Sequence, residues 1–406
     1  RYGTVTGVQT CALPILWEDN PTLRLYFLAY FLLGMNLGVF FVYGPLFLPM
    51  MGFYEISGVS MLIGIPAFSG LLGQNFWGAI CLKKDRFKVL LLIGSIPFIP
   101  LFVLMGFLAD VELLFFYLAI HGFLLGALYP SSQSLGTLIK GSAKGEIIGK
   151  FLTYESGGWA LACFCMACLC NYFGSSKQLF SYFFLALACI NVFGIGYLAI
   201  RFPRKVEGLD WNQIQSKLKG TYGRILTSPP VLCLFIYIIL VETGGTMFFF
   251  FFSRYFKEIL GGSEAILGYA ITLCTILGIL ILPMVGKISD KKGYFFILGF
   301  SAISYLLVFF SLVFISHPIL VSAIYALPIY PLISVSSHAG IASLTSESER
   351  AIGFGLLDSM FHTATLTSPL IGGLIISSMG LESLPLIALA FVASGVLFLP
   401  IMRHNS

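Results

Sequence analysis

Charge is what this chain has least of. Asp, Glu, Lys and Arg make up 10% of its 406 residues while 58% are hydrophobic, against roughly 25% charged and 45 to 50% apolar in a soluble domain. So little charge cannot hold a folded surface in water, which excludes a soluble globular protein. The chain has no GxxxxGK[ST] loop and no nucleotide-binding domain, which argues against an ATP-driven pump. It also has no nucleophile, base and oxyanion constellation, so no enzyme is expected. Nine cysteines are present, but Cys163, Cys165, Cys168 and Cys170 do not share one helical face. With no neighbouring histidine or carboxylate to complete a shell, they read as soft packing residues, and neither a metal, a cofactor nor a disulfide framework is expected.

What the sequence does hold is a series of apolar stretches about 20 to 27 residues long, the length of a helix crossing roughly 30 Å of hydrocarbon at 1.5 Å per residue. Barrel strands would be half as long and would alternate. Twelve spans can be drawn, from Leu25–Pro49 to Leu384–Met402. The hydrophilic stretch Arg201–Ser228 divides them six and six. The expected organisation is therefore a first six-helix bundle at 16–200, a linker at 201–229 and a second bundle at 230–406. Residues 1–15 are set aside, because GVQTCALPI at Gly7–Ile15 reads letter for letter as a translated sequencing adapter.

The net charge of +5 is a matter of topology rather than of nucleic acid or another anionic partner. With both termini and the linker in the cytoplasm, only Lys177, Arg254 and Lys257 of the basic residues after the adapter-like segment fall outside. A multi-pass protein of the plasma (inner) membrane is expected.

The halves resemble one another. A shift of 208 residues lays Gly78 and GAICLKKDRFK over Gly286 and GKISDKKGYFF, and a shift of 203 lays Glu155-Ser156 over Asp358-Ser359. Such internal repeats are common in secondary transporters. Gly286-Lys-Ile-Ser-Asp290-Lys291-Lys292-Gly293, placed between spans 8 and 9, resembles the GxLxDRxGR signature of the major facilitator superfamily. The first-half copy keeps Gly78 and Arg86 but carries Leu82 at the acid position. The resemblance implies two pseudo-symmetric bundles of six transmembrane helices, an all-α membrane fold. It also implies a gate in which Asp290 meets the start of helix 5 near Glu146–Lys150, a carboxylate at a helix N-terminus.

Within the apolar run Pro230–Phe252, Glu242 lies near the midpoint, where an ionisable group costs about 2.5 to 3.5 kcal/mol and usually lines a polar pathway. Glu155 and Asp358 sit about seven residues into spans 5 and 11. His121, His338 and His362 add groups that titrate near neutrality, with His362 one turn from Asp358. Asn36, Gln133 and Trp159 are further candidates for contact with a cargo, or for holding helices together. Ser368-Pro369 with Gly372-Gly373 reads as a bend with close packing, and Phe248–Phe252 as a lipid-facing run with an interfacial end. No Lys or Arg occupies the middle of a span, which favours a neutral or cationic cargo.

The sequence thus predicts a monomeric secondary transporter of a small solute, working by alternating access and coupled to protons. Symport is favoured because Glu155-Ser-Gly-Gly-Trp159 lacks the antiporter motif of helix 5. A proton-coupled efflux antiporter, or a non-transporting sensor or scaffold on the same fold, is the alternative.

Overall fold

The computed structural model describes residues 20–81, 86–107, 110–129, 131–132, 144–203, 221–345 and 350–404. The adapter-like segment and most of the linker lie outside these residues. All regular structure among the described residues is helical. The membrane helices are α1 (Pro21–Met50), α2 (Ile56–Cys81), α3 (Phe87–Gly106), α4 (Val111–Leu125), α5 (Lys144–Phe173) and α6 (Lys177–Arg201), then α7 (Pro229–Arg254), α8 (Glu264–Lys292), α9 (Tyr294–Phe314), α10 (Pro318–Leu344), α11 (Arg350–Met379) and α12 (Leu381–Met402). Eleven are long and apolar enough to cross a membrane, and α4 is an apolar helix described over 15 residues.

Helix starts follow local chemistry. Asn20 accepts hydrogen bonds from the amides of Thr22 (2.9 Å) and Leu23 (3.2 Å), Ser176 from Leu179, and Ser263 from Ile266, so amides left open at a helix start gain a partner. Prolines break helices where they remove an amide. α3 is broken at Ile96–Pro97, and α10 consists of Pro318–Tyr325 and Tyr330–Leu344 separated by a stretch holding Pro328.

Packing repeats between the halves. The pairs α1 with α5, α2 with α4 and α3 with α6 recur as α7 with α11, α8 with α10 and α9 with α12. Two six-helix bundles related by pseudo-symmetry result, and they meet through α5 with α8, α2 with α11 and α1 with α7. Small residues set the closest approaches, as expected where lipid supplies no hydrophobic drive between helices. A Cβ on Gly34 of α1 would strike the carbonyl of Glu155 on α5, and one on Gly158 would strike that of Phe31. On α11, Gly372 faces Met247 and Phe251 of α7 while Gly373 faces Ser60 of α2.

Two expectations change. The motif Gly286–Gly293 is not a loop: α8 continues to Lys292 and stops at Gly293, whose φ of 84° favours glycine. Lys292 there lies 4.7 Å from the ring centre of Phe296, whereas the side chain of Asp290 lies outside the described set. The side chain of Glu146 does so too, and with it the expected gate contact; among the first-half motif residues Arg86 is exposed and the surroundings of Gly78 are not described. The run Phe248–Phe252 does not face lipid. Phe248, Phe250, Phe251 and Phe252 are 0 to 3% exposed, because α7 is enclosed by α1, α11 and α12. Phe252 stacks on Tyr325 at 4.2 Å, and Phe250 meets Phe41 of the other half at 5.3 Å.

Candidate functional site

Helical spacing builds one wall from each half. Leu152, Glu155, Ser156 and Trp159 on α5 follow the i, i+3, i+4, i+7 pattern, as do Glu242, Gly245, Thr246 and Phe249 on α7, and all eight line one cavity of about 430 Å³. That volume suits a small organic ligand. The opposite face of α7 is held by packing, with Gly244 against Ala388 and Phe391 of α12, which turns Glu242 inward. Ile271, Cys274 and Thr275 of α8, Tyr305 and Phe309 of α9, and Tyr325 and Tyr330 of α10 complete the enclosure. Among the described residues no Lys, Arg or His lines it.

Both cavity carboxyls lack a full set of partners. Glu155 Oε1 accepts a hydrogen bond from Tyr129 Oη at 3.2 Å, while its Oε2 is buried and has no partner among the described residues. Glu242 has no hydrogen-bond partner among them. Buried polar groups are costly without partners, so such a cavity is suited to a proton or a positively charged guest.

One end of the cavity is shut. The far end is the one carrying the α1–α2, α5–α6 and α7–α8 turns. On that side Trp159 packs against Phe41 (6.0 Å) and Phe249 (5.8 Å). Arg254, 4% exposed, crosses the halves to the carbonyls of Tyr54 (2.8 Å) and Glu55 (3.1 Å) while its Nε bonds Glu258 of the π-helical turn Tyr255–Ile259. Ser175 donates to Glu264 at 2.8 Å, and Lys257 pairs with the same carboxylate at 2.8 Å.

Other candidates lie apart from the cavity. Asp358 and His338 face each other, with Asp358 Oδ1 3.6 Å from His338 Nε2 and the two side chains 43% and 40% exposed. His362 meets the ring of Tyr129 at 6.4 Å, so a titratable cluster sits nearer the linker end. Asn36 is turned away: it exchanges two 2.8 Å hydrogen bonds with Asn191 of α6, joining helices instead of lining the site. His121 is 2% exposed among Phe40, Phe98 and Tyr117, with neither ring nitrogen bonded among the described residues. Gln133 lies outside the described residues. No cluster of three His, Cys, Asp or Glu side chains able to hold a metal occurs among the described residues.

Two features escaped the sequence reading. Tyr129, which holds Glu155, begins the pair Tyr129-Pro130, and 201 residues later Tyr330-Pro331 begins the second piece of α10. α4 likewise ends at Leu125, just before its pair. This repeated signal was readable, since prolines at corresponding positions of two halves mark transporter sites. Arg254 gave no signal beyond its charge and a carboxylate four residues on, because its partners across the halves are backbone carbonyls.

The chain is 24% identical over 421 aligned residues to multidrug resistance protein MdtG of Salmonella schwarzengrund, covering 97% of this chain and 96% of that protein. It is 23% identical to MdtG of a Rahnella species, over 69% of this chain and 68% of that one. Among solved structures it superposes on a bacterial homologue of the human lysosomal transporter Spinster, inward-facing and occupied, with a TM-score of 0.75 at 13% identity (96% and 98% covered). It matches the nucleoside transporter NupG with a TM-score of 0.71 at 10% identity (95% and 99% covered). Likeness at such identity speaks for the fold alone. The sequence signature of the Major Facilitator Superfamily matches residues 27–337. With that match across both halves of a twelve-helix fold, the chain belongs to the Major Facilitator Superfamily, and it is a membrane transporter rather than an enzyme.

Proposed function

We propose that this protein moves a small, largely apolar neutral or cationic solute across the plasma (inner) membrane by alternating access, driven by protons. The observation that carries the reading is the pair Glu155 and Glu242, brought by different halves to one aromatic cavity whose far end is shut. Each carboxyl can be neutralised by a proton or by a positively charged guest, and not by both at once. That competition is the elementary form of coupling. Tyr and Phe rings supply the apolar wall and attract cations through their faces.

With the lysine-rich end taken as cytoplasmic, the contacts that close the far end support reading this conformation as inward-facing. One chain supplies both walls, and the carrier works as a monomer. Likeness to proteins named for multidrug resistance favours export by antiport. Symport is the second reading, favoured by the absence of a glycine-proline motif around Glu155 in α5.

Purified protein in liposomes with an imposed pH gradient, tested against a panel of neutral, cationic and anionic solutes, decides the matter. Gradient-driven movement of a cationic or neutral solute, lost in Glu242→Gln, is expected. No flux above that variant for any solute would favour a sensor or scaffold.

A further inference from the structure

The two cavity carboxyls stand in different surroundings. Glu155 is bonded to Tyr129, beside which other titratable groups follow in a row. Tyr129 Oη donates to it at 3.2 Å, and the Tyr129 ring lies 6.4 Å from that of His362. His362 is one turn from Asp358, which faces His338 at 3.6 Å. His338 Nδ1 lies 2.7 Å from the carbonyl of Ser334. A carbonyl only accepts, so Nδ1 carries hydrogen. The other nitrogen then meets the Asp358 carboxyl favourably only if one further proton sits on the pair. With both side chains about two-fifths exposed, the pair can exchange that proton.

Glu242 has no such connection among the described residues. The phenols of Tyr237 and Tyr305 lie within electrostatic reach of it, and Tyr237 is committed to the carbonyl of Leu298. Around it the cavity wall is ring surface from Phe248, Phe249, Phe309 and Tyr325.

We infer that the carboxyls divide the work: Glu155 is the proton carrier, reached through Tyr129 from His362, Asp358 and His338, and Glu242 anchors the positive centre of an aromatic cation. This rests on reading the cavity as the transport site. One proton moves per event. The Asp358–His338 pair releases it to His362, His362 passes it to the Tyr129 oxygen, and the proton already on that oxygen goes to Glu155 Oε1, leaving that carboxyl neutral. No heavy-atom bond forms or breaks. Among the described residues the other titratable groups facing this region are Tyr30 of α1, bonded to Ser132 and within electrostatic reach of Glu155 and Asp358, Cys274 of α8, Tyr305 of α9, Tyr325 and Tyr330 of α10 and Glu242 itself.

The test uses the purified full chain, ethidium as probe, and three variants: Glu155→Gln, Tyr129→Phe and Glu242→Gln. Equilibrium binding is read in detergent. Ethidium exchange without a gradient and net flux under a pH gradient are read in liposomes, against protein-free vesicles. Glu155→Gln is expected to lose net flux under the gradient at least tenfold while weakening ethidium binding and gradient-free exchange less than Glu242→Gln does, because only coupling needs the proton. Tyr129→Phe slows net flux about tenfold and leaves exchange in place, whereas a merely structural role would slow both alike. Glu242→Gln loses binding at least tenfold. If Glu155→Gln loses binding as fully as Glu242→Gln, or Tyr129→Phe slows exchange and net flux equally, the division is overturned and the transport site stands. If the unaltered chain neither binds nor moves ethidium, the cationic anchor is overturned, and failure across the solute panel would remove the transport reading as well.

Discussion

Arg254, at the end of α7, fastens the second half of the molecule to the backbone of Tyr54 and Glu55 in the first, at 2.8 and 3.1 Å. The contact is a fork from one guanidinium to two carbonyls on a turn, nearly sealed from solvent. Hydrogen bonds to charged groups are worth about 1.5 to 3 kcal/mol. Arg254→Ala should therefore weaken far-end closure by about 2 kcal/mol, roughly a thirtyfold shift between conformers. A cysteine replacing Phe41, in a background lacking competing thiols, should then react faster with an impermeant maleimide added at the far face. Arg254→Lys should restore little, since an ammonium lacks the fork.

The Asn36–Asn191 pair calls for a different experiment, because each amide satisfies the other. Asn36→Leu alone leaves Asn191 without that partner and should lower stability by about 0.6 to 1.7 kcal/mol. Replacing both by Leu should recover most of the loss. Thermal unfolding in detergent measures both, and solute binding should not change, since neither side chain lines the cavity.

Gly34→Ala pushes a methyl group into the backbone carbonyl of Glu155. Neither helix can yield without moving the carboxyl, so a loss of about 1 to 3 kcal/mol is expected, together with weaker transport. Gly196→Ala is the control. Its Cβ would meet nothing within 4 Å, and it should leave the unfolding temperature unchanged or raise it.

His121→Leu should be tolerated. The imidazole is enclosed by rings without a hydrogen bond among the described residues, and replacing an unsatisfied polar group by an apolar one of similar size is neutral or stabilising. Unchanged flux with an equal or higher unfolding temperature is expected, and a loss of flux would return His121 to the proton path.

The sequence made the fold legible because a membrane helix is written in a single long apolar run, and the six-plus-six division follows from one hydrophilic stretch. Glu155, Trp159 and Glu242 were legible for a related reason. A carboxyl in such a run needs enclosure, and helical spacing then says which neighbours share its stripe. Hidden from the sequence was whatever depends on which helix covers which. The phenylalanines after Met247 read as a lipid surface until α1 and α12 are seen around α7. Asn36 reads equally as a cargo contact until Asn191, 155 positions away, is seen facing it.

The interruption of α10 bears on how the chamber fits its guest. Tyr325 closes the first rigid piece and Tyr330 opens the second, so two rings of one wall ride on separate bodies joined through Pro328. The breadth of the space facing Glu242 therefore depends on the angle between these two pieces, and a change of that angle would alter it without repacking either piece.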